Sequence, residues 1–181
     1  MSQTRGYSLK AIVAMCSNRG IGQAGNLPWR LKKELSHFAK MTTNVEVEGK
    51  KNAVIMGHNT WRSIPQKWRP LQKRINVVLS RSVTDLGDGV MVCKSLEEAL
   101  ASLHKDPQIE SVWVIGGSSV YAEAMPVCDV VYLTEVLKEF ECDTFLPELP
   151  EGFREVNDDP RVCYEVQEED GVRYQYKVYR K

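Results

Sequence analysis

Twice in this chain a short, uniformly apolar run ends in glycine and passes straight into a helix-forming stretch. Val54-Ile55-Met56-Gly57 leads into residues 58–64, where Pro65 stops the helix. Val112-Trp113-Val114-Ile115-Gly116-Gly117 leads into residues 118–124. Runs that are apolar on every residue belong to strands covered on both faces. Such strands are mostly parallel ones flanked by helices, so the chain is constrained to an α/β architecture. The remaining pattern agrees. Residues 7–15, 75–79, 90–92 and 130–136 read as further strands, and 30–42 as a helix. Ser95, with Glu98 three residues on, reads as the N-cap of a helix running to about residue 103. Asp170-Gly171 is a hairpin turn signal, followed by Val172, Tyr174, Tyr176 and Val178 alternating with polar residues. The expectation is a single domain over 1–181. It has a central, mostly parallel mixed sheet, an antiparallel C-terminal hairpin and helices on both faces.

Composition narrows the class. The chain has 181 residues, about one domain at roughly 150 residues each. Its longest apolar run, residues 11–16, falls short of the roughly 18 residues of a membrane helix. It also lacks the pattern of a signal peptide. Five cysteines without a C-x-x-C read as reduced, mostly buried thiols of a cytoplasmic protein. His37, His58 and His104 are scattered, so no metal site is expected. Residues 1–90 carry 15 Lys+Arg and 5 Asp+Glu, a net +10, and residues 91–181 carry 9 and 19, a net −10. Either the two halves offer complementary surfaces within one fold, or the first half meets an anionic ligand.

Gly20-Ile21-Gly22-Gln23-Ala24-Gly25 matches G-x-G-x-x-G, but the dinucleotide motif needs a strand directly before it and a helix opening inside it. Here residues 16–19 intervene and Asn26-Leu27-Pro28 follow, with the residue before proline biased away from helix. The glycines instead suggest a mobile loop, 17–28, suited to covering a site. In the helix at 30–42, Leu31, Leu35 and Phe38 fall on one face at 100° per residue, and Glu34 lies among them. A carboxylate there is either paired in a salt bridge, or has a raised pKa and handles a ligand or a proton. The two strand–glycine–helix junctions are either tight packing, or a place where backbone and helix ends hold a diphosphate. Leu79-Ser80-Arg81 ends a third strand, where Arg81 is a surface cation or a grip on an extra phosphate. Arg74 is an edge charge or a bidentate clamp for a carboxylate. No nucleophile signature accompanies these features, and the combination fits redox chemistry on a bound cofactor.

In order along the chain, these features resemble the dihydrofolate reductase family of the animal, monofunctional type. The resemblance is carried by Ile12-Val13-Ala14, Gly20-Ile21-Gly22, Leu27-Pro28-Trp29, residues 34–38, residues 54–57, Thr60-Trp61 and Ser63-Ile64-Pro65. It continues through Arg69-Pro70-Leu71, Arg74-Ile75-Asn76, Leu79-Ser80-Arg81, residues 115–121 and Asp143-Thr144-Phe145. The resemblance implies NADPH-dependent reduction of 7,8-dihydrofolate to tetrahydrofolate, by hydride transfer to C6 with protonation at N5, in one-carbon metabolism and thymidylate synthesis. Dihydrofolate, folate and antifolate inhibitors are the implied partners of a cytoplasmic monomer, with no membrane or nucleic acid.

By the same resemblance, Glu34, Trp29 and Thr134 are catalytic: Thr134 supports Glu34, and Trp29 orders a water. Ile12, Val13, Leu27, Leu35, Phe38, Ser63, Ile64, Leu71 and Ile115 join Glu34 and Thr134 in enclosing the substrate, and Arg74 takes its glutamate α-carboxylate. Ala14, Ile21 and Gly22 meet the nicotinamide. Gly57, His58, Asn59 and Thr60, with Ile115, Gly117, Ser118, Ser119, Val120 and Tyr121, cradle the rest of the cofactor. Leu79, Ser80, Arg81 and Lys94 receive the 2′-phosphate end. Relatives tend to carry basic residues where this chain has His58 and Asn59, so the preference for NADPH rests on Arg81. The resemblance also implies cis peptides at Arg69-Pro70 and Gly116-Gly117. Two rival readings are a reductase of the same fold acting on another nitrogen heterocycle, as in the riboflavin pathway, and an RNA-binding regulator.

Overall fold

The computed structural model describes residues 6–181, so the first five residues of the expected domain lie outside the described residues. The first half runs β1 (Ser8–Met15), β2 (Gly20–Gly22), α1 (Lys32–Thr43), β3 (Lys51–Gly57), α2 (His58–Ser63), β4 (Arg74–Leu79) and β5 (Val90–Cys93). The second runs α3 (Leu96–His104), β6 (Ile109–Val114), α4 (Ser118–Ala124), β7 (Val130–Val136), β8 (Thr144–Phe145), β9 (Arg154–Val156), β10 (Gln167–Glu169) and β11 (Val172–Arg180). The main sheet has the order β10-β11-β7-β1-β6-β3-β4-β5, with β9 also paired to β11. From β7 to β5 every pairing is parallel, and β11 joins antiparallel through Tyr176 opposite Thr134.

Period-two alternation divides the buried residues of the central strands between two cores. Ala11, Val13, Ala53, Ile55, Val112 and Val114 pack on one face, under Leu96, Ala99 and Leu103 of α3 and Val120 and Tyr121 of α4. Ile12, Val54, Met56, Trp113 and Tyr132 pack on the other, against Leu31 at the start of α1, Met41 within α1 and Trp61 of α2. The chain leaves β3 through α2 on one face and leaves β6 through α4 on the other, although β3 and β6 are neighbours. That divergence is a topological switch point, where open α/β sheets form a crevice at their carboxyl ends. Both strand–glycine–helix junctions lie at this crevice.

Local chemistry accounts for the element ends. Ser95 Oγ accepts from the N–H of Glu98 at 3.1 Å, and Glu98 returns an oxygen to the N–H of Lys94, one residue before the cap. Asp170 and Gly171 take φ of 51° and 78°, the left-handed pair that a tight hairpin requires. The loop at 17–28 departs from expectation: it contains β2, which pairs with β8 through Gly20 opposite Phe145 and Gly22 opposite Thr144. Gly20 is fixed by packing, since a Cβ there would sit 2.6 Å from the Cβ of Cys142. β8 and β9 were also unanticipated. Each is two or three residues long and mostly exposed, so neither carries an apolar period.

Candidate active site

The carboxyl ends of β3, β4 and β6 open on a cavity of about 850 Å³. The whole set that the resemblance assigns to the cofactor borders it. Ala14, Ile21 and Gly22 form one end, and Gly57, His58, Asn59 and Thr60 lie at the start of α2. Leu79, Ser80, Arg81 and Lys94 form the far wall. Ile115, Gly117, Ser118, Ser119, Val120 and Tyr121 line the β6–α4 turn. Gly25, Asn26, Ser95, Leu96, Gly116, Ala122, Glu123 and Thr144 border it as well, beyond those expected. Of the substrate set, Val13, Leu27, Ser63 and Ile115 reach this cavity.

Backbone, more than side chains, shapes the floor. The N–H of Gly57 donates to the carbonyl of Gly116, and that of Ile115 to Ile55, both at 2.9 Å. The Gly116-Gly117 and Arg69-Pro70 peptides are both cis. Gly116 has φ of 129°, a conformation that needs glycine. A Cβ on Gly57 would lie 3.4 Å from Val120, so the two junctions approach as closely as they do because glycine lines both. Tyr121, fully buried in α4, donates from its hydroxyl to the carbonyl of Ile12 at 2.7 Å, which ties α4 to β1. Ser118 Oγ donates to the carbonyl of Phe145. A long, backbone-lined cleft with Arg81 and Lys94 at one end and β1 at the other suits an elongated anion. The residues present therefore fit a dinucleotide bearing phosphates.

Glu34 sits in the first turn of α1 and is 6% exposed. Thr134 of β7 donates from Oγ1 to Glu34 Oε1 at 3.0 Å. Burial pushes the Glu34 carboxyl above its ordinary range, and the Thr134 hydrogen bond pulls it partly back. The salt-bridge alternative for Glu34 has no support in the ion pairs of the described residues. Trp29 is buried beside Phe140, at 5.6 Å between ring centroids, and its Nε1 has no hydrogen-bond partner among the described residues. The buried indole N–H of Trp113 is likewise without a partner among the described residues.

Ile12 is buried in the same apolar cluster as Trp29, and Phe38, Ile64, Leu71 and Ile115 pack against that cluster. Leu35 corrects the sequence reading: it is 48% exposed rather than on the buried face. Leu27 is similarly open at 47%. Arg74 is half-buried. Its Nη1 donates to Thr42 Oγ1 and its Nε to the carbonyl of Gln72, both at 2.9 Å, so the guanidinium is held in one orientation. The hexapeptide at 20–25 is no nucleotide turn, because β2 occupies its start and no helix opens from it.

One supporting residue escaped the sequence entirely. Leu31 precedes α1 and offers no capping side chain. Glu169 supplies the cap from the C-terminal hairpin, accepting from the N–H groups of Lys32 and Lys33 at 2.6 and 2.9 Å. It lies 137 residues from Lys32, so no local signal could have announced it.

Comparison with known proteins follows the same geometry. A family profile described as dihydrofolate reductase matches residues 8–181. The dihydrofolate reductase of Aedes albopictus is 46% identical over 177 residues, covering 94% of this chain and 95% of that protein. The dihydrofolate reductase of Gallus gallus is 48% identical over 183 residues, covering 96% of each. Among solved structures, Schistosoma mansoni dihydrofolate reductase superposes with a TM-score of 0.85 at 35% identity, over 96% of this chain and 98% of that one.

Proposed function

Because the chain belongs to the dihydrofolate reductase family, we propose that its cleft binds NADPH and that Glu34 governs the proton in the reaction. The enzyme is an oxidoreductase that reduces dihydrofolate to tetrahydrofolate, and its family uses a nicotinamide cofactor. The observation that carries the proposal is the position of Glu34: a buried carboxyl on the inward face of α1, held by Thr134 of β7.

NADPH, when bound in the cleft, would supply the hydride for C6 of the pterin. Everything else falls to this chain. Thr134 occupies Oε1 of Glu34, which leaves Oε2 for the pterin amino group and ring N–H. A carboxyl whose pKa is raised by burial holds its proton closer to neutral pH, which suits it to favour protonation at N5. Trp29 Nε1, one of the unpartnered donors of the apolar cluster that contains Ile12, orients a proton-carrying water. Ile12, Leu27, Leu35, Phe38, Ile64 and Ile115 exclude bulk solvent from the rings. Leu27 and Leu35, the two exposed leucines of this set, gain cover when substrate binds. Arg74, pre-oriented by Thr42, pairs with the glutamate α-carboxylate. Ser80, Arg81 and Lys94 favour NADPH over NADH at the 2′-position. The protein acts as a cytoplasmic monomer open to antifolates that mimic the pterin.

The decisive assay is dihydrofolate-dependent loss of NADPH absorbance, with and without a methotrexate-type antifolate. Glu34→Gln keeps the shape and removes the acid. Its kcat at pH 7 should fall by roughly two to four orders of magnitude, the scale of general acid catalysis. Activity should recover in part at low pH, where substrate arrives already protonated. An unchanged kcat would remove Glu34 from the proton chemistry.

A further inference from the structure

The segment that carries β2 is stitched to the segment that carries β8 along its whole length. Ser17 N–H donates to the carbonyl of Lys138, Asn18 Nδ2 to that of Phe140, and Asp143 N–H to that of Gly22. Inside this seam two thiols meet: Cys16 Sγ and Cys142 Sγ are 3.7 Å apart, although 126 residues separate them in sequence. Cys16 is fully buried and Cys142 half-buried. Cys16 Sγ also donates to Asn18 Oδ1 at 2.9 Å. Neither thiol borders the cleft, and neither has a role in the proposed reaction. No disulfide framework was expected from the spacing of the cysteines, and none of the other three, Cys93, Cys128 and Cys163, joins this contact.

We propose that Cys16 and Cys142 form an oxidation site that peroxides convert to an intramolecular disulfide, clasping the base of loop 17–28. In the first step the Cys142 thiolate, the more accessible sulfur, attacks one peroxide oxygen. The O–O bond breaks, Cys142 becomes a sulfenic acid, and hydroxide (or alkoxide) leaves. In the second step Cys16 sulfur attacks the Cys142 sulfur. The S–S bond forms, the S–O bond breaks, and water departs with the Cys16 proton. Two thiols and one hydrogen peroxide thus give one disulfide and two waters. Burial, followed by the contact with Cys16, pushes the Cys142 thiol up to about 11, so the first step is slow at neutral pH and quickens as pH rises.

The clasp has a target. Ile21, Gly22, Gly25, Asn26 and Leu27 of the same loop border the cleft. A covalent tie at its base restrains loop opening, and loop opening limits turnover in many enzymes that close over their ligands. This consequence rests on the cleft being the reaction site; the bond itself does not.

The test starts from full-length protein carrying Cys163→Ser, since Cys163 is the exposed thiol and would otherwise react first. It is treated with hydrogen peroxide, blocked with iodoacetamide and digested without reductant. The expected product is a cross-linked pair of peptides bearing Cys16 and Cys142, two hydrogens lighter than their sum. In parallel, kcat for dihydrofolate should fall severalfold and return with dithiothreitol. The Cys142→Ser protein should start with full activity and keep it. Alkylated or over-oxidised Cys16 and Cys142 with no cross-linked pair would overturn the site, whatever the activity did. A cross-link formed in full without any change in kcat would overturn the clasp.

Discussion

Folding has moved the Glu34 carboxyl out of water and onto a hydroxyl, and that choice has a sign that can be measured. Burial raises its pKa above the ordinary 4.5 of the unfolded chain. Between those two values the folded protein holds the proton more tightly than the unfolded one, so stability falls as pH climbs through the window. Glu34→Gln stays neutral throughout. At pH 8 it should unfold at a higher urea concentration than the parent, while below pH 4 the two midpoints should converge. A variant less stable than its parent at pH 8 would show the ionised carboxylate to be well held after all. The residue proposed to govern the proton is then one that stability would discard. Glu34 was legible because a charged residue stood among apolar neighbours at helical spacing. The centre of the stripe was not. Leu31, Glu34, Phe38, Met41 and Thr42 are the positions turned inward, at the i, i+3, i+7, i+10, i+11 spacing of one helix face, and Leu35 lies at its margin. Periodicity identifies a face, but it cannot say which residue at its border is left exposed.

At the level of elements, α1 has its direction set by something outside itself. Its first N–H groups, unpaired in any helix, are taken by Glu169 at the end of β10. The two backbone hydrogen bonds, Lys33 first, hold the Glu169 carboxyl below its ordinary range. A depressed carboxylate contributes stability above its unfolded pKa, and this is lost as pH falls through the folded one. Glu169→Ala should lower the urea midpoint at pH 7, and the difference from the parent should shrink toward pH 3. Glu169→Gln, which keeps the acceptor oxygen, should recover part of it. An Ala variant as stable as its parent at pH 7 would make the cap dispensable. The hairpin that delivers Glu169 was readable from Asp170-Gly171 and the alternation after it, because a two-residue turn and a period-two strand are local facts. The cap, the β2–β8 pairing and β9 were not readable. Each depends on two short segments distant in sequence, with mostly exposed residues and no hydrophobic period to announce them.

Over the whole molecule, the order of the strands decides where ligand can bind, and the charge of the two halves decides what kind. The switch point between β3 and β6 was implicit in two glycine-ended strands, but their adjacency emerges only when β6 inserts between β1 and β3. The net +10 of residues 1–90 had two readings. Among the described residues, the ion pairs Arg161–Asp159, Lys177–Glu135 and Arg180–Asp158 each lie within the acidic C-terminal half. Arg81 and Lys94 instead stand exposed on the cavity wall, one from each half. The anionic-ligand reading therefore makes a prediction about range. Charges on an exposed wall act through solvent and are screened over about 10 Å at 0.1 M salt. The KM for NADPH should climb with ionic strength more steeply than the KM for NADH, which lacks the 2′-phosphate. Arg81→Ala should raise the NADPH KM by roughly tenfold, the scale of one charge-assisted hydrogen bond, and should flatten its salt dependence toward that of NADH. Equal loss for both cofactors would mean that Arg81 shapes the wall without reading the phosphate. Discrimination would then fall to Ser80, Lys94 and the neighbouring backbone.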